Sequence, residues 1–280
     1  MTDSASYLLD REHHRRRRAK IFRWSFSIIA LAVVVFGATW VVARSSLFRA
    51  ERITVFGNQR LSAADILTFV EERVTKGRML ARILGTQNLL VWPDTLVAGD
   101  TSTSIGGLPA LKNLVIRKDY QERTIELIVE ERQSVGVWCA KRAEPERCFW
   151  FDDDGVLFEP APSAEGNLIR VVADYASEDT TLGLRPLSAA AMGNLLSVFR
   201  VIKESGLSIG EIRFEDPALQ EVRVVTNDGP ILYFSLRFPA ENTLGVIRSL
   251  TEKDRRGELK PRFSELEYID FRVENRAYYK

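Results

Sequence analysis

Glu51-Arg-Ile-Thr-Val-Phe-Gly-Asn-Gln-Arg-Leu-Ser-Ala-Ala-Asp-Ile-Leu-Thr-Phe-Val-Glu-Glu-Arg-Val74 changes its period halfway along. Ile53 and Val55 alternate as a strand does, and Gly57-Asn58 is a turn dipeptide. Ser62 reads as a helix N-cap, supported by Asp65 three residues on. Ile66, Leu67, Phe69, Val70 and Val74 then recur at helical spacing, which gives the helix one apolar face to lay on a sheet.

Downstream, Gly107-Leu-Pro-Ala-Leu-Lys-Asn113 suits a second, short helix started by Pro109. Leu114–Arg117 and Thr124–Glu131 alternate as two strands across the polar link Asp119–Glu122. Strand, helix, helix, strand, strand is the order of a small α+β module with its helices on one face of the sheet. The stretch Met79–Ile105 is long and polar for a connection inside such a module, and Asp100-Thr-Ser-Thr-Ser104 reads as a loop.

Upstream, Trp24–Ala43 is an uncharged run of about 20 residues, enough to cross a hydrocarbon core of about 30 Å as one helix. Seven bases precede it (Arg11, Arg15, Arg16, Arg17, Arg18, Lys20 and Arg23), against Arg44, Arg49 and Arg52 close on the far side. The positive-inside bias therefore places the N-terminus in the cytoplasm and the remainder outside the inner membrane, a single-pass type II arrangement. A cleaved signal peptide has a shorter apolar region and a small-residue cleavage site, whereas this run closes on Val41-Val42-Ala43-Arg44. The expected segments are a cytoplasmic tail at 1–23 and a membrane helix at 24–44.

With 45% apolar residues, the chain can fill one or two ordinary cores beyond the anchor. The net charge of +1 conceals a tail at +4 and a remainder at −3, which gives no footing for nucleic acid. The two cysteines, Cys139 and Cys148, flank the short polar link Ala140–Arg147. They suit a disulfide across a hairpin in an oxidising compartment, and equally two buried free thiols on adjoining strands; the spacing leaves both open. Both histidines, His13 and His14, lie in the tail, so a metal site outside it would lack imidazole.

The second half repeats the mixture. Asn167–Val172 reads as a strand and Ser188–Ser205 as a helix closed by Gly206. Glu211–Phe214, Glu221–Thr226 and Ile231–Leu236 are strand candidates punctuated by Asp216-Pro217 and Asn227-Asp228-Gly229-Pro230. Asn242–Lys253 is another helix, and Leu266–Tyr279 the last strand. Asp152-Asp153-Asp154 has the carboxylates to hold a hard cation, but three aspartates before Gly155 more often make a solvated turn. No Gly-x-Ser-x-Gly and no phosphate-cradling glycine loop occurs, so the residues organise no catalytic, cofactor or metal constellation.

Taken in order, the lone apolar helix, the phrase Ile53-Thr-Val-Phe-Gly-Asn58 and a strand running into Glu131-Arg132 resemble the POTRA domain of FtsQ/DivIB bacterial cell-division proteins. Val135-Gly-Val-Trp138, Phe151-Asp152-Asp153-Asp154-Gly155-Val156-Leu157-Phe158 and Tyr268-Ile-Asp270-Phe-Arg272 are similar to that family's later motifs. Val273 stands where many relatives have an aromatic residue, and Asp119-Tyr120 replaces a Trp-Pro turn. The resemblance implies an α+β chain: a single-pass anchor, a POTRA domain at 45–132, and a C-terminal mixed β domain with helices at 133–280. It implies a non-enzymatic scaffold of the division septum that binds FtsB/DivIC-type and FtsL-type single-pass proteins and helps to regulate septal peptidoglycan synthesis. The rival readings are an anchored cell-wall glycan-binding module or an enzyme whose carboxylate pair leaves no spacing signature.

The last strand, Asp270 to Tyr278, is expected to form the partner-binding edge, because no later segment remains to cover its outer N–H and C=O groups. Asp270, Arg272, Glu274, Arg276 and Tyr278 share one parity and hence one face, with Val273 and Asn275 between them. The family's FtsB-type contact falls here too.

Overall fold

The computed structural model describes residues 24–42, 45, 48–76, 79–93, 95–96, 108–163, 170–258 and 262–280. The basic block before Trp24, the Ala43-Arg44 end of the expected span, Asp100–Ser104 and residues 167–169 of an expected strand lie outside them. The chain divides into two compact units: Met1–Phe56, Leu67–Leu96 and Val115–Ile128 form one, and Gly57–Ile66, Val97–Leu114 and Val129–Lys280 the other.

Helix α1, Trp24–Val42, is 19 residues without a charged side chain and with none of its span buried, long and apolar enough to cross a membrane. At 1.5 Å per residue it reaches about 28 Å. There follow β1 (Arg52–Phe56), α2 (Ala63–Thr75), α3 (Met79–Leu84), a 3-10 turn at Leu89–Val91, β2 (Thr95–Leu96), β3 (Leu111–Asp119) and β4 (Thr124–Glu131). They make a four-stranded sheet in the order β1-β4-β3-β2, with β1 parallel to β4. Ser62 caps α2 as its spacing predicts, its Oγ accepting from the Asp65 N–H at 3.1 Å. Ile66, Phe69, Val70 and Val74 are buried on the helix's apolar face.

The helix expected at 107–113 is not formed by its described residues, 108–113. Pro109-Ala110 is a turn and Leu111 already belongs to β3, while the second helix is α3, inside the stretch read as a long connection. The main chain explains the difference. The Arg132 N–H donates to Ala110 O at 2.8 Å and the Arg132 Nε to Pro109 O at 3.1 Å, tying this segment to the end of β4. A seven-residue helix opened by glycine and proline has little intrinsic stability to set against that pairing.

The larger sheet is built from β5 (Gly136–Ala140), β6 (Arg147–Phe151), β7 (Leu157–Ala161), β8 (Val171–Asp174), β9 (Ile209–Phe214), β10 (Glu221–Thr226), β11 (Ile231–Ser235), β12 (Tyr268–Phe271) and β13 (Tyr278–Tyr279). Its nine strands run β13-β12-β11-β10-β9-β8-β5-β6-β7. Helices α4 (Ala189–Ser205) and α5 (Thr243–Arg255) are the crossovers that parallel neighbours need: β8 is parallel to β9, and β11 to β12. Ser188 caps α4, and Gly206 ends it at φ 70°, as the sequence predicts. Trp138, Leu195, Phe199, Ile212, Phe214, Phe234, Ile247 and Phe271 meet in one core between sheet and helices. Asp174 is buried beneath it, accepting from Trp138 Nε1 at 2.9 Å and from the Ala176 and Ser177 N–H groups. Cys139 and Cys148 face each other across β5 and β6 with Cα atoms 4.1 Å apart and are joined by a disulfide.

A polar clamp fixes the entry to this unit. Gly57 takes φ 85° and lies so close to the main chain that a Cβ there would collide with Val129 O. Glu131 accepts from the N–H groups of Gln59, Arg60 and Leu61 at 2.7–3.0 Å. Burial raises its carboxyl pKa, but those three donors and the Arg60 guanidinium outweigh this, leaving it below the ordinary range. Next to it Arg132 and Asp152, 4% and 0% exposed, form a direct ion pair, and Asp152 Oδ1 also accepts from the Val156 N–H at 2.9 Å. The other two aspartates of the run meet cations as well: Lys112 lies 2.8 Å from Asp153, and Arg132 3.4 Å from Asp154. The three-aspartate run is thus a turn whose charges are answered by the protein's own bases.

Asp152→Ala should leave the buried Arg132 with only the longer, half-exposed contact to Asp154 as counter-charge, costing about 3 kcal/mol of stability. Chemical denaturation of the full chain in detergent checks this, and a loss under about 1 kcal/mol would mean that the pair is dispensable.

Candidate functional site: the C-terminal rim of the large sheet

The chain's last residues do not form one strand, as expected from Leu266–Tyr279. β12 stops at Phe271, residues 272–277 turn back, and β13 pairs antiparallel with β12, Tyr278 opposite Asp270 and Tyr279 opposite Ile269. Asn275 supplies the positive φ, 58°, that the reversal requires. The shared parity expected for Asp270, Arg272, Glu274, Arg276 and Tyr278 is therefore broken. Asp270 and Tyr278 sit side by side on neighbouring strands, while Arg272, Val273, Glu274, Asn275 and Arg276 lie exposed in the turn.

The rim is β13 rather than β12. Lys280 pairs inward, its N–H donating to Tyr268 O at 3.3 Å and its carbonyl accepting from Glu267 N–H at 2.7 Å. Antiparallel alternation then turns the Tyr279 N–H and C=O away from β12. Both tyrosine rings are half exposed. The opposite rim is closed by contrast. Pro160 lies in β7, and Leu157 is bonded through its N–H and C=O to Leu184 and Gly183.

Register assembles a polar ladder on the sheet face away from the helices. Arg213, Arg223, Tyr233, Asp270 and Tyr278 stand in one row across β9, β10, β11, β12 and β13. The Arg223 and Arg272 guanidinium carbons lie 5.3 and 4.9 Å from the Tyr233 ring centre, and Tyr268 meets that ring edge-on at 6.1 Å. Arg272 is the hub: Nε and Nη2 bond Asp270 at 2.9 and 2.6 Å, and Nη1 bonds Glu221 at 3.1 Å. That bidentate contact holds the Asp270 carboxyl below its usual range against the opposing effect of burial, and it raises Arg272 above the ordinary guanidinium value. Behind the turn a cleft of about 170 Å³ is lined by Phe238, Val246, Phe271 and Val273, and Asn242 Nδ2 donates to Asn275 Oδ1 at 3.2 Å.

Donor and acceptor on an open rim, a charged and aromatic face beside it, and a small apolar cleft behind it are the means of holding an extended segment by strand addition. Sequence reasoning missed Glu221, Arg223, Tyr233, Tyr268 and Tyr279. The outward parity of Glu221 and Arg223 in β10 and of Tyr233 in β11 was readable, but the register that aligns them with Asp270 was not.

The ion pair sets a pH dependence. The folded-state pKa of Asp270 is depressed, so its contribution is complete above the unfolded carboxyl value of about 4 and is lost as pH falls through the folded value. Asp270→Asn should therefore melt below the wild type at neutral pH, with the gap closing in acid; a gap constant from pH 7 to 3 would contradict this. Compared with models of protein families and with curated proteins, the chain matches none of them.

Proposed function

We propose that this chain is a non-enzymatic, bitopic scaffold of the FtsQ/DivIB type, working at the bacterial division septum. On this reading α1 anchors it in the cytoplasmic membrane with the N-terminus inside, the sheet of β1–β4 with α2 and α3 is a POTRA domain, and the large sheet is the recognition domain. The observation that supports it most is the unequal treatment of the two rims. β7 is blunted by Pro160 and bonded to the 183–184 segment, while β13 leaves Tyr279 open beside the Arg272–Asp270–Tyr233 ladder.

The partners are FtsB/DivIC-type and FtsL-type single-pass proteins, with an extended partner segment adding to β13. Main-chain bonds supply affinity there, and the ladder's alternating charges select the sequence. Holding those partners beside the membrane is how the chain helps to control septal peptidoglycan synthesis. A functional fluorescent fusion of the full chain should gather in a midcell band in dividing cells. An even membrane signal throughout the cycle would sink the proposal.

A further inference from the structure

Helix α3 turns an apolar face outward. Met79 and Ile83, four residues apart and so on one side of the helix, are 79% and 56% exposed, whereas Ala81 on another side is buried. Leu90, on the 3-10 turn that follows, is 43% exposed. Arg82 is exposed next to Ile83, and Lys76 is exposed just ahead of the helix. Single exposed apolar residues are ordinary; three of this size within twelve residues, set among bases, suit the boundary of a lipid surface.

The position of the segment in the chain selects that occupant. The Ala50 N–H donates to Gln87 O at 2.8 Å, the Arg49 guanidinium bonds Gln87 Oε1 at 2.8 and 3.0 Å, and Arg49 and Asn88 form an isolated antiparallel bridge. The turn bearing Leu90 is thus stitched to the chain seven residues beyond Val42. Even fully extended, that link holds Arg49 within about 24 Å of the end of α1. A patch tethered so closely to a membrane helix has the bilayer surface as its nearest apolar partner.

We propose that Met79, Ile83 and Leu90 form a lipid-facing patch that rests at the headgroup boundary of the bilayer crossed by α1, with Arg82 and Lys76 directed to anionic phosphates. This rests on the reading of α1 as a membrane span. The patch gives the first unit a second hold on the membrane beside the covalent one.

The test places a photoreactive p-benzoylphenylalanine singly at Phe36, Phe56, Ile83 or Leu90 of the full chain. All four side chains are exposed, so the fold tolerates the probe. The protein is reconstituted in nanodiscs of phosphatidylethanolamine and phosphatidylglycerol, irradiated, and examined for lipid adducts by mass spectrometry. Phe36 reports the span; Phe56, at the far end of β1 from Arg52, is the reference for a solvent-facing site of the same unit. Adducts at Ile83 and Leu90 should exceed those at Phe56 by at least about fivefold if the patch sits at the lipid boundary. Labelling at Phe36 with Ile83 and Leu90 no higher than Phe56 would overturn the patch and leave the span standing. Failure at Phe36 as well would overturn the span and the patch with it. In cells, cross-links from Ile83 to a protein in place of lipid would also overturn it.

Discussion

Main-chain hydrogen bonding in the large sheet leaves two rows of N–H and C=O groups to be managed, those of β7 and β13, because every strand between them is paired on both sides. The two rims are treated differently. Proline and a bonded loop close β7, while β13 is short, ends in two half-exposed tyrosines and lacks proline. Strand length matters as much as openness. A two-residue rim offers few groups to indiscriminate edge-to-edge pairing, and on the proposed role specificity would fall to the side chains alongside it.

Those side chains are held by packing. Phe234 and Phe271 stack at 5.2 Å on the inner face of β11 and β12, and this fixes the register that puts Tyr233 beside Asp270 on the outer face. Arg272 then joins β10 to β12 through Glu221 and Asp270. Ion pairs this exposed contribute at most about 1 kcal/mol to stability, and beyond that small share they orient the face. At the other end of the unit the opposite holds. Arg132 and Asp152 are out of water, and removing either alone leaves the other buried without its direct partner.

Local signals were legible where chemistry and period agreed. Ser188 and Gly206 bracket α4, Ser62 opens α2, and the alternation of Glu221–Thr226 gives β10 to the residue. The failures came where a distant segment decided. Residues 108–113 follow Arg132 and the β4 end rather than their own helix signals, and α3 lies in a stretch whose polar composition read as a loop. The reversal at Asn275 has neither glycine nor proline to announce it, so one strand was expected where two occur. Of the site, Asp270, Arg272 and Tyr278 were readable as outward polar residues near the end. Tyr233 and Arg223 join them only through the parallel β11–β12 pairing, set by a crossover of some thirty residues that no local pattern reveals.

The central claim is that the outward main chain of Tyr279 receives a partner strand. Tyr279→Pro removes the outward N–H while leaving the inward bonds of Lys280 in place, so it addresses the rim without dismantling the hairpin. The direct measurement is co-purification of the full-length variant with an FtsB/DivIC-type partner, alongside its thermal melting. Loss of capture with unchanged melting is the predicted result. Capture at the wild-type level by the folded variant would contradict the account.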